Sequence, residues 1–175
     1  MAQTIGIDFE KLDLKDALDL AVLVEEEARE RYEEFADQMA IHRTASAERF
    51  FRGMARNEEK HRAQLWERRR ALFGDSPAAV SRAQLFDVEA PEYDEVRASM
   101  TAREALHTAL RAERKAWDFF DCAIPRLTRA DVRELFEELR GEEAEHQRMV
   151  LAEIDRTPPD PAVAADFDED EPVAQ

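Results

Sequence analysis

An all-α bundle of four helices, built as two hairpins joined by a long crossover, is the fold this sequence predicts. Three observations carry the prediction. Gly is scarce, at 4 in 175 residues, while Ala, Leu, Glu and Arg dominate, a composition that favours long helices over strands. Apolar residues recur at steps of three, four and seven within four separate stretches, which places them on one face of a helix each time. The breaks between the stretches run short, long, short, the connectivity of two hairpins and a crossover. With 175 residues and 44% hydrophobic content, the chain is long enough for one domain with a full core.

Taken in order, the first helix runs from Leu14 to Ile41, with Leu18, Ala21, Val22, Ala28, Tyr32, Phe35 and Met39 on its apolar face. His42-Arg43-Thr44 is a short polar turn. The second helix runs from Ala45 to Phe73 through Phe50, Phe51, Met54, Leu65 and Leu72. Residues 74–100 contain Gly74, Pro77 and Pro91 and form the crossover. The third helix begins at Thr101, where Thr101-x-x-Glu104 reads as a capping box, and continues through Leu106, Ala109, Leu110, Ala116, Trp117 and Phe120. Pro125 to Thr128 interrupt the pattern. The fourth helix runs from Ala130 to Ile154 through Val132, Leu135, Phe136, Leu139, Met149, Val150 and Leu151. The bundle domain is thus expected over residues 1–156. Residues 157–175 carry PPDP and DFDEDEP and are expected as a mobile acidic tail, serving for solubility or as a docking or metal-delivery segment.

The formal net charge of −16 opposes binding to nucleic acid and to anionic membranes and favours cations. Against that charge the run Arg68-Arg69-Arg70 reads as a solvated helix end favoured by the helix dipole. The one cysteine, Cys122, permits neither an intrachain disulfide nor a Cys₄ metal site, and is expected as a small buried side chain. The sequence holds no apolar run of the ~18 residues a membrane span needs, and its N-terminus lacks a basic region followed by an apolar one. A soluble, cytoplasmic protein of a reducing compartment is the expectation.

Residues 57–61 read NEEKH and residues 142–146 read EEAEH, so Glu58 with His61 and Glu143 with His146 form two Glu-x-x-His pairs. A helix brings positions i±3, i±4 and i±7 to one face. Around Glu58 those positions hold Phe51, Met54, Ala55, His61 and Leu65; around Glu143 they hold Phe136, Leu139, Arg140, His146, Gln147 and Val150. The same test turns Glu25 and Glu113 inward, among Leu18, Ala21, Val22, Ala28 and Tyr32, and among Leu106, Ala109, Leu110, Ala116, Trp117 and Phe120. Glu59 and Glu145 fall off these stripes and read as surface charges.

Residues at one height of an antiparallel pair are equidistant from its turn. The midpoint of Glu25 and Glu58 is 41.5, beside the first turn, and that of Glu113 and Glu143 is 128, at the second break. The hairpins also repeat. Glu25, Ala28 and Tyr32 match Glu113, Ala116 and Phe120 at an offset of 88, and Phe51, Met54, Glu58, His61 and Leu65 match Phe136, Leu139, Glu143, His146 and Val150 at an offset of 85.

One Glu-x-x-His is commonly a surface salt-bridge pattern. Two copies at matched height, each with a partner glutamate, point to a dinuclear metal site. Four buried carboxylates without compensation would carry a desolvation penalty of many kcal/mol, and two divalent cations remove it. Carboxylate and imidazole donors suit iron or manganese. Tyr32 either hydrogen-bonds a ligand carboxylate or sits as plain core. Trp117 and Phe120 read as core, and His42 and His107 as structural or solvated.

With Glu25-x-x-Ala28 and Tyr32 in EEEARERYEEFA and the doubled Glu-x-x-His, the chain resembles the ferritin-like superfamily, and within it the rubrerythrin branch, from about residue 14 to residue 155. The resemblance implies a ferritin-like four-helix bundle holding two iron ions, with manganese or a mixed Fe/Mn pair as variants. It implies Glu25 and Glu113 as terminal carboxylates, Glu58 and Glu143 as bridges, and His61 and His146 as nitrogen ligands. Two departures stand out. Rubrerythrins carry a second glutamate three residues along the third helix, where this chain has Leu110 and Ala116 on either side of Glu113. They also carry a Cys₄ rubredoxin-like module, which one cysteine does not supply, so an external electron donor or ferrous iron itself is expected.

The expected activity is a di-iron oxidoreductase that reduces peroxide or dioxygen as ferrous iron is oxidised, in the manner of a ferroxidase or peroxidase. Iron storage or delivery, a di-iron hydroxylase and a non-enzymatic helical interaction module are the competing expectations. Trp66 and Phe86 are bulky apolar residues that a homodimer or larger oligomer would cover.

Overall fold

The computed structural model of the chain describes residues 7–78, 80 and 100–159. Four long helices account for most of them: α1 (Leu14–Ile41), α2 (Ala45–Phe73), α3 (Ala102–Ala123) and α4 (Ala130–Arg156). They form a ferritin-like four-helix bundle, with α1 packed along α2 and α3 along α4. Most of the crossover, with Pro91 and Phe86, and the acidic tail beyond residue 159 lie outside the described residues. Among the described residues no helix is long and apolar enough to cross a membrane.

The helix ends have local causes. The Asp13 side chain accepts from the Asp16 backbone N–H at 2.9 Å and satisfies one of the donors that a helix N-terminus leaves open. Arg43, with φ of +57°, reverses the chain between α1 and α2. Gly74 stops α2 with φ of +60°, a conformation that glycine adopts without Cβ strain. At α3, Thr101 Oγ1 accepts from Glu104 N at 3.1 Å and Glu104 Oε2 accepts from Thr101 N at 2.8 Å, completing the capping box. Pro125 sits in a 3₁₀ turn, Ile124–Arg126, between α3 and α4.

Two apolar clusters fill the bundle. One joins Leu18, Leu20, Ala21 and Val24 of α1 to Leu65, Phe119, Phe120, Leu135, Phe136 and Leu139, and is closed from outside by Phe9. The other joins Tyr32, Phe35 and Met39 of α1 to Phe51, Met54, Leu106, Ala109, Leu110 and Val150. Along each helix the predicted inward glutamate falls at the junction of the two clusters: Glu25 after Val24, Glu58 between Ala55 and Leu65, Glu113 between Leu110 and Phe119, Glu143 between Leu139 and Val150. The bundle thus has an apolar layer, a charged layer and a second apolar layer. The apolar residues paired by the internal repeat are equivalent in burial, with Phe51 and Phe136, Met54 and Leu139, and Tyr32 and Phe120 all in the interior.

Some expectations fail. Cys122 is exposed, because the inward arc of α3 at this level is taken by Phe119, Phe120 and Ala123. Trp117 is only half-buried, with the Arg140 guanidinium 5.9 Å from its ring centre. Leu72 and Leu151 share the apolar spacing of their helices yet are exposed. Arg68-Arg69-Arg70 is not solvated throughout. Arg69 is 2% exposed, and its guanidinium donates to Asp19 Oδ1 at 2.7 Å and to the carbonyls of Gly74 (2.7 Å) and Ser76 (2.5 Å). Asp19, itself buried, also receives Lys15 Nζ at 3.1 Å. The pair fastens the end of α2 and the start of the crossover to α1.

Candidate metal centre

All six predicted site residues converge on the charged layer. Glu25, Glu58, Glu113, Glu143 and His146 are buried, and the His61 side chain is 18% exposed. His61 Nδ1 lies 3.8 Å from Glu25 Oε2 and 3.9 Å from Glu58 Oε2. His146 Nδ1 lies 3.3 Å from Glu58 Oε1, 3.4 Å from Glu113 Oε2 and 3.8 Å from Glu143 Oε2. The two imidazoles stack nearly parallel, with centres 5.4 Å apart and planes 8° from each other. Glu58 stands between them, one oxygen toward each ring. Glu59, Lys60 and Glu145 face solvent, as do His42 and His107.

Tyr32 is not plain core. It is buried against Phe51, with ring centres 6.1 Å apart, and its hydroxyl donates to Glu113 Oε1. Gln147 Nε2 donates to the Glu113 backbone carbonyl at 3.3 Å, so side chain and backbone of this glutamate are both held.

Burial and the charges within the cluster together set its protonation. Burial pushes the Glu25 carboxyl up to about 7, against a lowering contribution from Glu58, and the Glu58 carboxyl well above the ordinary range. For Glu113 burial acts the same way, but His146, with hydrogen bonds from Glu143 and Tyr32, outweighs it and the carboxyl lies below its ordinary value. Burial disfavours charge on His146 too, yet the carboxylates of Glu113, Glu58 and Glu25 hold its pKa up to about 10. His61 has no such gain. Burial first, then the charge of His146, lowers it to about 4, so it is neutral near pH 7.

The donors fit metal ions. Glu58 Oε1, Glu113 Oε2 and His61 Nδ1 are buried atoms without a hydrogen-bond partner, and such atoms carry a desolvation penalty that a cation removes. Three overlapping groups of donors each lie within 4.8 Å of one another: Glu58, His61 and His146; Glu113, Glu143 and His146; and Glu25, His61 and Glu142. Ligands on one ion with bonds of about 2.1 Å lie roughly 3–4 Å apart, so small side-chain rotations close these groups. Carboxylate oxygens with two imidazoles form a donor set for iron or manganese.

Glu142 was not among the expected residues. It precedes Glu143 and so reads as the surface neighbour of an inward residue. Its helical spacing carried the signal, since it lies three residues after Leu139 and four before His146, both buried. Its Oε2 is 3.9 Å from His61 Nδ1, and burial, then Glu138, raises its carboxyl.

A bundle in which one glutamate from each of two helices meets a Glu-x-x-His from each of the other two has the ligand pattern of the ferritin-like di-iron and di-manganese carboxylate proteins. Within that class the chain belongs to the rubrerythrin family, whose description, Rubrerythrin, matches residues 16–154. It is similar to the crystal structure of an uncharacterised conserved protein from Magnetospirillum magnetotacticum MS-1. Identity is 30% over 87% of this chain and 99% of that one, with a TM-score of 0.72. A hypothetical protein from Pyrococcus furiosus shares the fold at 20% identity, over 86% of this chain and 95% of that one, with a TM-score of 0.60. No curated protein matches the chain.

Proposed function

We propose that this protein is a di-iron oxidoreductase that reduces peroxide or dioxygen while ferrous iron is oxidised. The observation that carries the reading is the convergence of Glu25, Glu113 and both Glu-x-x-His pairs on one buried layer, with donor atoms left unpartnered. Two bound iron ions would supply the two electrons that cleave an O–O bond. His61 and Glu25 would hold one ion and His146, Glu113 and Glu143 the other, with Glu58 between them. His146 would have to be neutral to ligate, so binding an ion there would release its proton. Tyr32 fixes the Glu113 carboxylate in the orientation the site requires. The apolar layers on both sides keep bulk water from the centre.

Size bears on the substrate. The cavity that reaches the site has a volume of about 60 Å³ and is lined by His61, Gln64, Leu65, Arg68, Glu138, Leu139 and Glu142. Small-molecule sites occupy about 300–1,000 Å³, so this opening suits dioxygen or peroxide and disfavours hydroxylation of an organic substrate. The net charge of −16 favours cation delivery and keeps iron storage or delivery as the second reading. Light scattering separates the two, because storage requires a closed shell and a monomer or dimer cannot form one.

Chelator-stripped protein reloaded anaerobically with Fe²⁺ should consume added hydrogen peroxide faster than the same Fe²⁺ in buffer. The variant with both Glu58→Gln and Glu143→Gln should lose this acceleration. Equal peroxide loss with and without protein would refute the proposal.

A further inference from the structure

The two ends of the charged layer are not alike. The position around His146 is enclosed, since Glu113, Glu143 and His146 are all buried. The position around His61 opens to the 60 Å³ cavity, and its third donor is Glu142, whose side chain is 31% exposed. One donor atom each from Glu25, His61 and Glu142 lies within 4.8 Å of the others. Helix α3 adds nothing to this end, because Leu110 and Ala116, on either side of Glu113, are buried and apolar. The arginines near Glu142 are engaged elsewhere: Arg68 donates to Glu138 at 3.1 Å and Arg140 to Asp121 at 2.6 Å. His61 Nδ1, which faces both Glu25 and Glu142, is a buried atom without a hydrogen-bond partner.

We propose that Glu142 is a seventh ligand to the divalent-cation pair, completing the position of Glu25 and His61, and that this position exchanges its ion through the cavity while the Glu113–Glu143–His146 position retains its own. The inference rests on the di-metal reading above and adds an order to it. A carboxylate at the cavity mouth meets an incoming cation before the buried donors do. A side chain one-third exposed also moves at less cost than the enclosed ligands, so the ion it holds leaves first. Arg68, paired with Glu138 across the same opening, places a positive charge beside the entry and limits how many cations gather there.

Anaerobic calorimetric titration of chelator-stripped protein with Fe²⁺ tests the assignment, with Glu142→Gln compared against Glu145→Gln. Glu145 is exposed on the same helix and pairs with Arg148, so its variant removes the same charge without touching the site. Wild type should take up two ions. Glu142→Gln should keep one at unchanged affinity and bind the other about 10- to 100-fold more weakly, the range seen when even an outer partner of a metal ligand is lost. Glu145→Gln should stay within about twofold of wild type on the same scale. Two ions bound by Glu142→Gln at wild-type affinity would overturn the role of Glu142 and leave the di-metal reading standing. Equal weakening in Glu145→Gln would also overturn it, since the effect would then be one of overall charge. Failure of wild type to bind Fe²⁺ at all would overturn both.

Discussion

Raising the pH of the metal-free protein should withdraw the stability that His146 contributes. The residue is buried, and the carboxylates of Glu113, Glu58 and Glu25 outweigh the burial and hold its pKa at about 10, against an ordinary value of 6.5. Between those values the folded protein keeps a proton that the unfolded chain has released. Stability is therefore fully present below pH 6.5 and falls as pH rises toward 10. One pH unit of such a gap is worth about 1.4 kcal/mol, so the loss is on the order of a few kcal/mol once the neighbouring carboxylates share the proton. The measurement is the urea midpoint by circular dichroism in the presence of chelator, at pH of about 6.5, 8 and 9.5. The midpoint should fall steadily in wild type and much less in His146→Gln. Iron-loaded protein should lose the decline, because a ligating imidazole is already neutral. A level midpoint in metal-free wild type across this range would show that His146 is not held protonated by the cluster.

Three further outcomes are expected. Arg69→Met should cost about 3 kcal/mol in urea unfolding, toward the low end for a broken buried pair because Lys15 still reaches Asp19. Adding Asp19→Leu should recover part of that loss, and strict additivity of the two changes would show that the residues do not act as a pair. Tyr32→Phe should leave the fold intact, as Phe120 fills the matching place in the other hairpin, while weakening Fe²⁺ binding about 10-fold through the freed Glu113 carboxylate; unchanged affinity would count against its orienting role. Phe51→Ala, at a fully buried position packed at a tilt against Phe35, should destabilise by about 3–5 kcal/mol with the metal stoichiometry unaltered, and a change in stoichiometry would tie that layer to the site.

The parts of the molecule that follow from helical repetition were legible in the sequence. Helix ends are written in single residues, such as Thr101 with Glu104, or Gly74, and periodicity alone turned Glu25, Glu58, Glu113 and Glu143 inward. Periodicity gives direction but not reach, and there the reading fell short. Glu142 lies beside the inward direction, yet its side chain is long enough to come within 3.9 Å of His61 Nδ1. Arg69 was hidden by composition, since three successive arginines read as solvent-facing. Its spacing of four from Leu65 continues the buried stripe, and the midpoint of Asp19 and Arg69 is 44, at the first turn, so the test that matched the glutamates also fits this pair. Cys122 shows the converse, a residue type usually buried that sits outside the apolar arc.

The Asp19–Arg69 pair also tells the two hairpins apart. By the offsets of the internal repeat, Asp19 corresponds to His107 and Arg69 to Ile154, so the second hairpin has no equivalent pair. Halves this similar invite exchange during folding, with α3 taking the place of α1 against α2. In that arrangement the position opposite Arg69 would be that of His107 in place of Asp19. Only the pairing of α1 with α2 sets a buried carboxylate against Arg69, so the chain carries within one helix pair a label for which half is which.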